Sequence, residues 1–145
     1  MDFLDLPEPL AAHPLAQSLA GATRLEVFRT GERRAAGPDG PSWAAEALAV
    51  WTGEPAARAV AAVQALPPDD MRRCFAPGYA LRAHDRTGFL LEIAFCFRCH
   101  GAELIGPRPS PDGLATVLGF DAESAPALGL LARFRACSGG LPEQA

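Results

Sequence analysis

CFAPGYALRAHDRTGFLLEIAFCFRCH, residues 74–100, holds three of the four cysteines, two of the three histidines and the single tyrosine of this 145-residue chain. It reads as a β-hairpin. Asp85-Arg86-Thr87-Gly88 is a turn sequence, and the apolar residues on either side of it alternate with period two. A three-residue loop with Gly88 in the left-handed position sets Asp85 opposite Phe89. The same register pairs Ala83 with Leu91, Leu81 with Ile93 and Tyr79 with Phe95. These pairs are all apolar, and a slip of one residue would destroy every one of them. The core face is therefore expected to carry Tyr79, Leu81, Phe89, Leu91, Ile93, Phe95 and Phe97. The opposite face carries Arg82, His84, Glu92, Cys96, Arg98 and His100 and is expected near solvent, with Glu92 and Asp85 solvated. Continued further, the register sets Cys74 opposite His100 and Phe75 opposite Cys99.

On the N-terminal side, residues 1–12 carry prolines and acids and read as an extended arm. His13-Pro14 opens a short helix that Gly21 stops, since proline suits a first turn and glycine an end. Thr23 to Thr30 alternates polar and apolar residues and is expected as a strand. GERRAAGPDGPS (31–42) follows as a turn-rich loop. Trp43 to Trp51 is ambiguous, because its alanines favour a helix while Leu48, Val50 and Trp51 suit a strand. Ala56, Val60, Val63 and Leu66 fall on one face of a helix, capped by Thr52 or Glu54 and ended by Pro67-Pro68. Beyond the hairpin come a strand at Ala102–Ile105, a proline-rich loop and a second strand at Leu114–Leu118. A last helix follows, capped by Asp121 or Ser124, striped by Ala127, Leu130, Leu131 and Phe134 and stopped by Gly139-Gly140. Residues 139–145 read as a disordered tail.

These elements predict a single α+β domain over 1–145. It is an antiparallel sheet of five or six strands centred on hairpin 79–97, with two main helices, about 54–66 and 122–136, on one face. The hydrophobic content of 49% and charged content of 21% are those of a globular chain large enough to bury a core. A net charge of −4, with arginines and acids interspersed, argues against a nucleic-acid or anionic-membrane surface. The absence of lysine and asparagine is the pattern expected of codon choice in a GC-rich bacterial genome, so the arginines are not read as a binding signature. No stretch has the length of apolar sequence that spans a bilayer, and the acidic, proline-broken start is unlike a signal peptide. A cytoplasmic location with reduced thiols is expected.

Cys96-Phe97-Arg98-Cys99-His100 is the one string with recognisable chemistry. In a continuous strand Cys96 and Cys99 point to opposite faces, and Cys96 and His100 lie about 13 Å apart. A metal site or disulfide therefore requires the strand to break near 96–99, with Pro77-Gly78 opposite as the place for it. Given that break, Cys74, Cys96 and Cys99, with His100, His84 or Cys137 as the fourth, make a tetrahedral zinc set. The same string matches covalent haem attachment, which calls for export, and a thioredoxin-like motif, which calls for a helix that Gly101, Gly106 and Pro107 leave little room for. The plain alternative is that both cysteines pack as small apolar residues at a strand end. No phosphate loop, nucleophile elbow or zinc-protease motif is present.

Cys74 with Pro77 three residues on, an apolar strand, a turn, and a second strand ending Ile93-Ala94-Phe95-Cys96-Phe97-Arg98-Cys99 resembles a group of small uncharacterised bacterial proteins. The likeness extends to the early strand, the helix from Pro55 and the helix start Phe120-Asp121. The cysteine and proline of that group's Cys-Pro-Arg-His are kept here as Cys74 and Pro77, and the Arg-His is not. The resemblance implies that Trp43–Trp51 is a strand and that the sheet is antiparallel; it implies no activity. The expected function is noncatalytic partner binding, of accessory or immunity type, through the polar sheet face or a sheet edge and without a cofactor. The alternative is a zinc or thiol-redox protein using Cys74, Cys96, Cys99 and His100.

Overall fold

The computed structural model describes residues 14–34, 40–72, 75–106 and 116–138. The expectations for the arm at 1–12, for Cys74, for the glycine stop and for the tail at 139–145 fall outside them. In chain order the elements are α1 (Pro14–Gln17), β1 (Arg24–Arg34), β2 (Ser42–Thr52), α2 (Gly53–Gln64), β3 (Tyr79–Asp85), β4 (Gly88–Cys96), β5 (Gly101–Ile105), β6 (Thr116–Gly119) and α3 (Ala125–Cys137). The six strands form one antiparallel sheet in the order β2-β1-β3-β4-β5-β6, so the fold is α+β with the hairpin at its centre.

β2 resolves the ambiguity at Trp43–Trp51 in favour of a strand. Pairing along β1, from Arg24↔Thr52 to Arg34↔Ser42, overrides the helix preference of its alanines. Of the expected loop at 31–42, residues 31–34 and Ser42 are strand as well, and 35–39 lie outside the described residues. Thr52 is the residue before α2 and its side chain makes no capping bond, while Ser124 caps α3 by accepting the Ala127 N–H.

The hairpin keeps its inner register, with Tyr79↔Phe95, Leu81↔Ile93 and Ala83↔Leu91. Its end is different from the expectation. Asp85 Oδ1 accepts from Thr87 N (2.7 Å), Thr87 Oγ1 (2.7 Å) and Gly88 N (3.1 Å), which closes the turn one residue tighter, with Asp85↔Gly88 and His84↔Phe89 paired. The surplus residue becomes a bulge at Leu90, so Leu90 and Leu91 are both buried. Phe89 is thereby moved off the core face. It lies beside His84 (5.7 Å between rings) and beneath the Arg82 guanidinium (4.2 Å).

The core occupies one face. Leu25, Val27, Tyr79, Leu81, Ile93 and Phe95 meet Ala56, Ala59 and Val63 of α2 and Ala127, Leu130 and Phe134 of α3 in one buried cluster. Phe134 is its hub, stacked on Tyr79 (4.9 Å) and Trp51 (5.9 Å) and tilted against Phe95 (5.7 Å).

The second face is not open to solvent, contrary to the alternation seen in the sequence. β1 and β2 run past the end of β3 and curl back over it, helped by register shifts at Val27/Phe28, Arg29/Thr30 and Thr30/Arg34. Thr30 ties the arm down through its N–H to Gly78 O (3.2 Å) and its hydroxyl to Pro77 O. Ala80, Ala94 and Glu92 beneath the arm are fully buried. Ser42 Oγ donates to Glu92 Oε1 (2.7 Å) and Trp43 N to Oε2 (2.8 Å), while Arg82 Nη1 bonds Oε1 (2.8 Å). The neighbouring Glu103 accepts from Trp43 Nε1 (2.7 Å) and Arg33 Nη2 (2.9 Å). Alternation assigned Glu92 to solvent because the arm that covers it is distant in sequence.

After α2 the chain crosses the end of the sheet against β6. Asp69 N bonds Gly119 O (3.3 Å) and Asp121 N bonds Pro67 O (2.8 Å). A Cβ on Gly119 would run into the Asp69 carbonyl oxygen, so the crossing requires glycine. Gly129, exposed on α3, has nothing within 4 Å of the Cβ it lacks. Chemical unfolding of two variants should therefore move in opposite directions. Gly119→Ala is expected to lose about 1–3 kcal/mol or more, and Gly129→Ala to gain about 0.5–1 kcal/mol.

Candidate functional site

β4 ends at Cys96, and the next four residues form the turn into β5, with Cys96 paired to Gly101. The strand thus breaks where a metal site or disulfide needs it to. Pairing of β4 with β3 stops at Tyr79↔Phe95, so Phe75 does not stand opposite Cys99 as the extended register expected. Phe75 instead meets the Trp43 ring edge-on at 5.9 Å and, with Met71, covers the bare face of Gly101.

The turn folds the two cysteines against each other. Cys99 N–H donates to Cys96 Sγ (3.3 Å) and the Cys99 thiol approaches Cys96 O (3.8 Å). Both are free and buried, at 1% and 4% exposure. Burial first, then the hydrogen bond and charge of Cys96, push the Cys99 thiol up to about 12, although the Ala76 N–H pulls the other way. A thiol so displaced is no nucleophile near neutrality, which weighs against redox exchange by the metal-free pair. Cys137 is also raised by its burial, and it lies beside Trp51 at the far end of α3.

His100 closes the turn in the left-handed conformation (φ 57°), which histidine tolerates better than most residues. Its ring is aimed at the crossing segments: Nδ1 is 3.4 Å from Asp69 Oδ2 and receives the Ala122 N–H at 3.4 Å. Asp69, His100 and Asp121 bring ligand atoms within 4.8 Å of one another, and no other such group of three or more occurs among the described residues. Of the four residues predicted as a zinc set, the described structure thus brings Cys96 and Cys99 together and directs His100 to two aspartates. Cys74 lies outside the described residues. His84, at the other end of the hairpin, is 2.7 Å from Glu26. Neither His84 nor Cys137 shares a ligand group with the cysteine pair.

Asp69 and Asp121 escaped the sequence reading because only the crossing after α2 unites them with His100. The sole signal was two Asp residues, each next to a short turn. Among the described residues no helix is long and apolar enough to cross a membrane. Comparison with protein-family models, curated proteins and solved structures returns no match.

The thiols offer a direct check of this geometry. Cys99 should alkylate slowly in the native protein at pH 8 and rapidly once unfolded, as read by mass spectrometry. Because folding raises this acid's pKa, it stabilises the fold fully below pH 9 and loses that contribution between pH 9 and 12. Unfolding midpoints should fall across that window, and less steeply in Cys99→Ala.

Proposed function

We propose that this chain is a noncatalytic partner-binding protein, of accessory or immunity type, that accepts an extended segment of another protein along the outer edge of β2. The reading is supported by how the two faces and two edges of the sheet are used. One face is filled by helices and the other by the curled arm, so the polar face first considered for a partner is occupied. Among the described residues the edge strand β6 spans four residues, whereas β2 runs for eleven.

β2 lacks the features by which exposed edges are usually protected. It has no proline and no basic residue, and its one charge, Glu46, is engaged by Arg29 at 3.0 Å. Val50 is 56% exposed. Among the described residues, no backbone group of 45–51 bonds to any element other than β1. That leaves about 23 Å of edge for a strand of low charge, held by main-chain hydrogen bonds with side-chain contacts setting the choice.

Purification from the source organism with chemical crosslinking tests this. A co-purifying protein should protect alternate β2 amides from hydrogen exchange and be lost in an Ala47→Lys/Val50→Lys variant. Retention of the partner by that variant would contradict the proposal. So would slow exchange of every β2 amide in the isolated chain, which would mean that the edge is already covered.

A second reading keeps the sulfurs: structural zinc held by Cys96 and Cys99, with Cys74 as the sequence candidate for a third ligand. Backbone N–H groups of Cys99 and Ala76 are directed at the two sulfurs, as a thiolate pair would need. Stoichiometric zinc in untagged protein, with thiols that titrate only after chelation, is its expected signature; free thiols without zinc would remove it.

A further inference from the structure

Asp69, His100 and Asp121 come from three separate stretches of chain: the crossing after α2, the β4–β5 turn and the segment before α3. Their potential ligand atoms nevertheless lie within 4.8 Å of one another. The imidazole is the inner member, its side chain 5% exposed, while Asp69 at 44% opens the group to solvent.

Each aspartate uses one oxygen locally. Asp70 N donates to Asp69 Oδ1 (2.8 Å) and Glu123 N to Asp121 Oδ1 (2.9 Å), which leaves each carboxylate a second oxygen. Glu46, Glu103, Glu54 and Glu92 each have an arginine partner, in turn Arg29, Arg33, Arg58 and Arg82. Among the described residues no arginine reaches Asp69 or Asp121. His100 Nδ1 has one in-plane lone pair, met by the Ala122 N–H only at 3.4 Å, and Asp69 Oδ2 stands 3.4 Å from that same atom; a metal ion would take that lone pair in place of this long bond. Two carboxylates and an imidazole nitrogen so close repel unless a positive charge lies among them, a proton on Nδ1 shared with Asp69 or a metal ion. Among the described residues the imidazole has no other hydrogen-bond partner.

We infer that Asp69, His100 and Asp121 form a binding site for a divalent first-row metal ion. Two carboxylates balance the charge of such an ion. One nitrogen and two oxygens, with no sulfur, suit zinc, manganese, iron(II) or cobalt rather than a soft ion. Three protein ligands leave coordination positions free on the solvent side, beside Asp69, for water or a donor from a bound molecule. The site is independent of the β2 edge, and it differs from the cysteine reading in using no thiolate.

Titration of the full chain with cobalt(II), followed by visible absorption, tests the inference. One equivalent should bind with weak d–d bands and no thiolate charge-transfer band. Asp69→Asn and Asp121→Asn should each weaken binding by at least about tenfold, and Cys96→Ala should leave it unchanged. Asp69 is solvent-exposed, so its variant reports on binding rather than folding; circular dichroism checks the others. No binding at millimolar cobalt would overturn the site. Binding insensitive to both Asp→Asn changes would reveal an adventitious ion only. A charge-transfer band lost in Cys96→Ala would transfer the metal to the sulfurs, and the inference would fail.

Discussion

A carboxylate with no solvent contact, Glu92, sits in the middle of the sheet's second face and governs how the chain closes on itself. A buried anion is tolerable only when its lone pairs are fully used, and here Arg82 supplies the charge while Ser42 Oγ and Trp43 N supply further donors. Two of these donors sit at the start of β2, so the arm must curl over the sheet for the charge to be met. Glu103 repeats the device one strand further on, reaching Trp43 Nε1 and Arg33. The clasp is specific because it is polar: an apolar face could slide, whereas these bonds admit one register.

That clasp also decides which surfaces remain for function. Among the described residues, with helices on one face and the arm on the other, strand edges and the ends of the sheet are what is left. The long β2 edge is the larger of the two edges and carries almost no charge. At the end where β4 turns into β5, the chain after α2 passes so close to Gly119 that Asp69 comes within reach of His100. The turn that carries Cys96, Cys99 and His100 is fixed from several sides: Arg72 N bonds Cys99 O (2.7 Å) and Phe120 N bonds His100 O (3.0 Å).

Much of the fold was legible in the sequence, for a local reason. Period-two alternation set the β3–β4 register through Tyr79, Leu81 and Ala83, and the helix stripes at Ala56–Val63 and Ala127–Phe134 faced the core as expected. What alternation could not show was a second face buried by a distant segment. Glu92 reads as a solvated residue until Ser42 and Trp43 arrive from 50 and 49 residues away. Phe89 was misplaced for a different reason: three bonds to Asp85 Oδ1 shorten the turn and shift the extra residue to Leu90. The site was half legible. The Cys96–His100 string marked the turn, but the partners of His100 come from a crossing that leaves no periodic trace.

The most direct test of the clasp is equilibrium urea unfolding of Glu92→Ala. Removing the carboxylate takes the Glu92 ion pair from the largely buried Arg82 and frees the start of β2. A loss of about 3–5 kcal/mol is expected, accompanied by faster hydrogen exchange at the Trp43 amide. A loss below about 1 kcal/mol, with Trp43 still protected, would show that the arm is held by something else and would contradict the account.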